Sequence, residues 1–185
     1  MDVIEPSFAL GAIVHAGKGS ADAVLLDFAQ RLSARGLVVR GLVPGPQADL
    51  GDCAARTVRD LETGDIYPIG QNLGKQSGAC CLDPGALLAA GVVLRRALEG
   101  PADLVIVNRF GIQEAAGDGF CAEFLELITR GYPLLTVVSH SYLPAWREFT
   151  GGMATELNPD AEALLAWFER IRSRPPTAAA PSASA

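Results

Sequence analysis

Four groups of residues in this chain carry side chains that can do chemistry. The first is His15-Ala-Gly17-Lys18-Gly19-Ser20, which follows an apolar run and leads directly into a helical pattern. Free N–H groups at a helix start, with the positive end of its dipole, favour an anion; glycines let the backbone approach it and a lysine adds charge. Gly17, Lys18, Gly19 and Ser20 are therefore candidate ligand-binding residues, against the plainer reading of a capped helix behind a flexible turn. The second group is Asn108-Arg109-Phe110-Gly111-Ile112-Gln113-Glu114. Arg109 can fork hydrogen bonds onto a phosphate, carboxylate or other oxyanion, or merely tie two loops together.

The third group is the two histidines, His15 and His140, each just past an apolar run. Imidazole serves binding, acid–base chemistry or an ordinary hydrogen bond. Ser139-His140-Ser141 cannot be a nucleophile and base pair, because neighbours on an extended chain point apart, and no G-x-S-x-G elbow occurs. The fourth group is the cysteines. Cys53 and the Cys80-Cys81 pair flank an irregular insert, so Cys53 and Cys81 are candidates for a soft metal. The absence of a C-x-x-C spacing leaves buried inert thiols as the competing reading, and Cys121 is expected in the core.

Two phosphate-binding patterns can be tested on the first group. The spacing G-x-x-x-x-G-K-[ST] needs Gly at 12 and Ser or Thr at 19, where this chain has Ala12 and Gly19. Ser20 comes one place late to hold Mg²⁺. The third glycine of G-x-G-x-x-G would fall on Asp22, whose charge in the first helical turn repels a polyphosphate. In phosphate-hydrolysing enzymes with such a loop, the third strand ends in an Asp for Mg²⁺ and a Glu that orients water. Asn108 stands in the acid's place here, and Glu114, six residues on, is the candidate catalytic group.

The elements that must position these groups alternate. Phe8 to Val14 reads as a buried strand, and Ala21, Val24, Leu25, Phe28 and Leu32 mark one face of a helix ending at Gly36. Val38 to Val43 is a second strand, making a βαβ unit with parallel pairing and a right-handed crossover. The section 44–78 breaks this rhythm, and two short runs around Glu-Thr-Gly-Asp predict a β-hairpin. Asp83-Pro84 opens a helix up to Gly100, Asp103 to Val107 is a strand, and Phe120, Phe124, Leu127 and Ile128 line another helix. Leu134 to Val138 is the fourth core strand. A short helix starting at Pro144 and one opened by Asn158-Pro159 follow. The expected fold is α/β, an open, mostly parallel sheet with helices on both faces and a β-hairpin insert. In such sheets ligands bind beyond the carboxyl ends of the strands, which is where all four groups lie or lead.

Composition sets the outer limits. With 185 residues, 49% of them apolar, the chain holds one α/β domain over 1–172 and a tail over 173–185 too rich in Ala, Pro and Ser to fold. Its net charge of −6, with Lys and Arg scattered, argues against nucleic-acid binding. No apolar stretch approaches the roughly 20 residues of a membrane span, and the acidic N-terminus lacks the basic region of a secretory signal. A cytoplasmic protein without structural disulfides is expected.

With these segments in hand, the chain resembles a small, uncharacterised bacterial family similar to the P-loop nucleoside-triphosphatases and often linked to molybdenum-transport genes. The resemblance covers about residues 8–171. It rests on the first βαβ unit, Gln71-Asn-Leu-Gly74 through Cys81-Leu-Asp-Pro-Gly85, Val107 to Glu114, and Leu143-Pro-Ala-Trp146 with Gly151-Gly152. Related triphosphatases carry an Asp-Glu-Ile-Gly-x-Met-Glu segment where this chain has Asn108-Arg109-Phe110-Gly111 and Glu114. The resemblance thus implies a P-loop NTPase-like fold with an altered phosphate loop and metal-binding acid. It points to a protein that binds a nucleotide, with Mg²⁺, or an oxyanion such as molybdate, without fast hydrolysis. The other readings are an active nucleoside-triphosphate hydrolase, and an accessory protein that contacts a molybdoenzyme or transporter.

Overall fold

Runs such as Leu104-Val-Ile-Val107 and Leu134-Leu-Thr-Val-Val138 have no polar face, so a sheet made of them must be covered on both sides. A computed structural model shows how this is done; it describes residues 8–17, 20–46, 56–71 and 82–173. Lys18, Gly19, Cys53, Cys80, Cys81 and the segment from 174 onward lie outside the described residues, as does the side chain of Ser20.

The strands are β1 (Leu10–His15), β2 (Val39–Pro44), β3 (Thr57–Asp60), β4 (Ile66–Pro68), β5 (Leu104–Phe110), β6 (Leu134–Ser139) and β7 (Thr155–Leu157). Among the described residues they form one sheet in the order β4-β3-β2-β5-β6-β1-β7. The five strands from β2 to β7 are parallel, and the β3–β4 hairpin adds an antiparallel edge. The hairpin predicted within 44–78 is therefore present. The first βαβ unit differs from expectation in one respect: β1 and β2 are parallel but not paired, because β5 and β6 lie between them. β7 was not legible either, since Thr-Glu-Leu is too short to show a period.

Helices α1 (Ser20–Ala34) and α6 (Ala161–Arg172) cover one face, while α2 (Pro84–Ala97), α4 (Cys121–Thr129) and α5 (Leu143–Phe149) cover the other. A single turn, α3 (Ile112–Ala115), follows β5, and a 3-10 turn, His140–Tyr142, follows β6. Each face has its own core: Leu25, Phe28, Leu32, Trp167 and Phe168 pack on one side, and Leu94, Phe110, Phe124 and Trp146 on the other. Gly11 shows how close the first layer comes, because a Cβ there would sit 2.7 Å from Trp167 Cζ2. Among the described residues, no helix is long and apolar enough to cross a membrane.

The hairpin is tied to the domain by a buried charge. Asp60 is fully buried at the end of β3, where it accepts hydrogen bonds from the Glu62 N–H (2.8 Å) and the Thr63 hydroxyl (2.9 Å) and pairs with Arg96 of α2. Burial alone would push its carboxyl up, but these donors outweigh that and hold it below the ordinary carboxylate value.

Candidate functional site at the carboxyl ends of the strands

Side-chain alternation fixes which predicted residues share a face. Ile13, Ile106 and Val137 belong to the core under α1 and α6, so His15, Asn108 and Ser139, each two residues further on, project toward the same face at the sheet's carboxyl edge. His15 and Ser139 are register partners across β1 and β6. The predicted group from β1 and the predicted group from β5 are thus brought to one side, where α1 begins.

A bulge at the end of β5 does the aiming. Val107 pairs with Thr136 but Phe110 pairs with Val138, so β5 spends one extra residue there. The Thr136 hydroxyl donates to the Val107 carbonyl at 2.7 Å, and the Asn108–Arg109 peptide is cis. The extra residue returns Phe110 to the same core as Val107. Phe110 packs there against Phe124, Trp146 and Phe149 with ring centroids 5.8, 5.1 and 5.5 Å away. Such contacts contribute roughly 0.5–1.5 kcal/mol each beyond area burial. With Phe110 anchored on one face, Arg109 is free to reach the other.

It reaches α1. Arg109 Nη2 bridges both carboxylate oxygens of Asp22, at 2.9 and 3.0 Å, joining residues 87 positions apart. The pair is partly open to solvent, with side-chain exposures of 40% and 23%. The guanidinium of β5 and the first turn of α1 therefore meet at one place. Asp22, which the sequence sets against a polyphosphate, has its charge offset by Arg109.

Two buried polar atoms on the same sheet face have no partner. His15 is 8% exposed; its Nδ1 lies 2.6 Å from the Gly17 carbonyl oxygen, to which it donates, and its Nε2 is buried without a hydrogen bond. Asn108, also 8% exposed, has a buried Oδ1 in the same condition. Both atoms are acceptors, and buried polar groups are nearly always satisfied, so they ask for a donor such as a water or an N–H or O–H group. The two other buried orphans among the described residues, the indole nitrogens of Trp146 and Trp167, sit inside the two cores.

Glu114, the candidate catalytic group of the sequence, is buried in the turn after β5. One carboxylate oxygen accepts the Gly111 N–H and the other accepts the Phe120 N–H, each at 3.0 Å, so the side chain staples the turn after β5 to the start of α4. Burial pushes the carboxyl up, and the backbone N–H groups of Phe120, Gly111 and Glu114 itself pull it back in part. Gly119 has φ +58°, and a Cβ there would overlap the Glu114 carboxylate. This clamp was invisible in the sequence, because a Glu at that position reads equally well as a water-orienting group.

His140 follows Ser139, the register partner of His15. It is exposed in the 3-10 turn and, with Val14, Arg147, Glu156 and Leu157, lines a shallow cleft of about 310 Å³ near β7. Arg147 donates to both oxygens of Glu156 at 2.6 and 2.9 Å at its rim, and this, helped by His140, holds the Glu156 carboxyl below its usual value. Cys121, expected in the core, is half-buried at the start of α4; burial and the nearby Glu114, Asp118 and Glu123 raise its thiol. The Cys53 and Cys81 metal candidates fall outside the described residues. Among the described residues, no three His, Cys, Asp or Glu side chains gather to hold a metal ion.

A family model described as "Protein of unknown function (DUF2478)" matches residues 10–167. The chain belongs to the DUF2478 family. This member is 36% identical over 166 residues to the molybdenum import ATP-binding protein ModC 2 of Bradyrhizobium diazoefficiens, a match that takes in 89% of the chain but only 18% of that protein. The chain thus spans less than a fifth of that relative's length. Its fold matches the solution structure of a human cancer-related nucleoside triphosphatase, with a TM-score of 0.63 over 90% of this chain and 99% of that one, at 18% identity. The DUF2478 chain thus has a P-loop NTPase-like α/β fold.

That fold implies Mg²⁺ beside a bound nucleotide, and the described residues can be tested for it. Asn108 offers a neutral amide, both Glu114 oxygens are taken by backbone N–H groups, and the Asp22 oxygens are taken by Arg109. Mg²⁺ beside a nucleotide keeps several waters and takes one or two protein carboxylates along with phosphate oxygens. Among the described residues, the end of β5 does not fit that ion.

Proposed function

We propose that this DUF2478 protein binds a nucleotide or a free oxyanion at the carboxyl edge of its sheet and does not turn it over at an appreciable rate. The observation that carries the reading is the meeting of Arg109 with Asp22 in the first turn of α1, on the sheet face toward which His15 and Asn108 also project. Gly17, Lys18, Gly19 and Ser20 are the candidate residues for the anion at the start of the helix, where free N–H groups favour negative charge. Arg109 supplies the guanidinium, His15 and Asn108 supply polar contacts, and His140 borders the same edge. The clamp role of Glu114 and the neutral Asn108 support binding without hydrolysis.

The name of the Bradyrhizobium relative favours including molybdate among the ligands tested, although Arg109 would accept phosphate as readily. Isothermal titration of the full chain with ATP, GTP, phosphate and molybdate tests the reading. Heat for at least one of them, with no phosphate released from ATP or GTP, is the expected outcome; no heat for any of the four overturns it. Sustained phosphate release that is lost in Glu114→Gln while the fold is kept would favour an active hydrolase.

A second reading rests on the length of the same relative. Because this unit recurs there as a small part of a long protein, it also suits an accessory role beside a molybdenum transporter, in the cytoplasm, with the 44–78 insert as contact. Pull-down with and without that insert separates the two roles.

A further inference from the structure

We propose that the solvent face of α2 is a docking surface for a second copy of this chain, the two α2 helices packing antiparallel about a two-fold axis at the height of Ala90. The inference is independent of the anion-binding reading. It starts from a helix with no polar face. From Pro84 to Leu94 no side chain is polar, and while the inward side, with Leu87, Val93 and Leu94, fills the core, Leu88, Ala89 and Val92 point to water. Leu88, at 69%, is the most exposed large apolar side chain among the described residues. Other helices turn polar groups outward: α1 presents Gln30 and Arg31, and α6 presents Glu162, Glu169 and Arg170. A helix that is apolar all round is patterned for burial on every side, and a contiguous apolar patch left on a surface marks a contact site.

The layout of this face fits a copy of itself, as a two-fold contact requires. Leu88 and Val92 lie one turn apart, so in an antiparallel pair centred between them each Leu88 meets Val92 of the partner subunit, and Gly85 and Ala89 carry no bulk to hold the helices apart. Charge matches as well. Asp83 caps the amino end of α2, accepting from the Gly85 and Ala86 N–H groups, and Arg95 stands in its last turn. Asp83 lies seven residues before Ala90 and Arg95 five after it, so in the antiparallel pair their heights differ by about 3 Å, within an arginine's reach. Arg95 spends Nη1 on Glu123 of α4 at 2.6 Å and is 48% exposed, which leaves further guanidinium N–H groups for a carboxylate across the interface. The two helix dipoles also oppose each other. The chain's own remaining segments suit this face less. Segments 47–55 and 72–81 hold one large aliphatic residue each, Leu50 and Leu73, and 174–185 holds none. Segment 1–7, with Val3 and Ile4, leads into β1, three places across the sheet from the β2 strand on which α2 packs. A contact of one helix pair falls below the roughly 1,200 Å² of a standard interface, so the dimer is a reversible one whose population rises with concentration.

The test is sedimentation equilibrium of the full chain from micromolar to near-millimolar concentration, on the wild type, Leu88→Glu, Val92→Lys and an equimolar mixture of the two variants. Both positions are exposed, and circular dichroism confirms that each variant is folded. The wild type is expected to show a reversible monomer–dimer equilibrium, and each variant alone to weaken it by at least about tenfold, since an unpaired charge is then pressed into an apolar contact. The mixture is expected to recover at least about threefold over either variant, because the heterodimer sets the introduced carboxylate against the introduced ammonium across the axis and keeps one Leu–Val contact. Backbone amide shifts on dilution of the wild type should centre on Leu88, Ala89, Val92 and Arg95. A wild type that is monomeric at every concentration overturns the inference, and a segment of the chain or a different protein then covers the face. A dimer that neither variant weakens also overturns it. So does weakening without recovery in the mixture, because the two helices then do not meet in the antiparallel register.

Discussion

Replacing Glu114 by Gln separates a structural carboxylate from a catalytic one. In the structure its two oxygens accept the backbone N–H groups of Gly111 and Phe120, both at 3.0 Å, in a buried setting. A hydrogen bond to a charged acceptor contributes about 1.5–3 kcal/mol. Gln keeps one acceptor and turns its amide nitrogen toward the other N–H, so one such bond is lost and a buried donor is left facing a donor. Part of that loss is offset, because the neutral amide avoids the burial cost that pushes the Glu114 carboxyl up. The net cost should be about 1–2 kcal/mol, and at roughly 2–4 °C per kcal/mol for a chain of this size the melting temperature should fall by about 2–8 °C. Thermal unfolding followed by circular dichroism, with urea denaturation as a check, reads this directly. An unchanged melting temperature together with lost phosphate release would refute the clamp and restore a catalytic role.

Further consequences follow from other contacts. Gly119→Ala should cost at least about 1–2 kcal/mol, because φ of +58° is left-handed backbone and the added methyl meets the Glu114 carboxylate; in urea denaturation, a variant as stable as the wild type would contradict this. Asp60→Asn should destabilise by about 2–3 kcal/mol, since it leaves Arg96 facing a neutral group in a site where Asp60 is fully buried. The Asp60 carboxyl is held below its unfolded value of 3.8, so its contribution is complete above that pH and is lost as pH falls through the folded value. Urea midpoints measured from pH 6 down to pH 2 should show a steeper acid loss in the wild type than in Asp60→Asn. Phe110→Ala should lower stability by about 3–5 kcal/mol as a large core truncation and weaken phosphate binding as well, because the ring anchors the segment that aims Arg109; full-affinity binding in the folded variant would show that the anchor does not position the site.

The parts of the fold legible in the sequence were those whose burial leaves a pattern. β1, β2, β5 and β6 are covered on both faces and read as continuous apolar runs, and α1 showed its inward face through Leu25, Phe28 and Leu32. The hairpin was marked by Glu-Thr-Gly-Asp, which the Asp60 side chain then closes. The order of the strands was not legible, since periodicity says nothing about which strands are neighbours, and so the insertion of β5 and β6 between β1 and β2 had to come from the structure. β7 carries only three residues and no alternation.

For the site, residue type and position after a strand were enough to single out His15, Asn108 and Arg109. They could not show that Asp22 would meet Arg109, a contact between residues 87 positions apart that depends on a bulge one residue wide. Glu114 illustrates the converse, because its chemistry was suggestive and its partners, two backbone N–H groups, leave no mark in a sequence.

The central claim is that the start of α1 and the end of β5 form one seat for an anion. Backbone amide spectra of the isotope-labelled full chain, recorded while inorganic phosphate is added, test it most directly. The account predicts saturable shifts concentrated at Gly17, Ala21, Asp22, Asn108, Arg109 and the His15 ring nitrogens, with β3, β4 and α6 unmoved. Saturable shifts centred away from that edge, or a spectrum indifferent to phosphate, would contradict it.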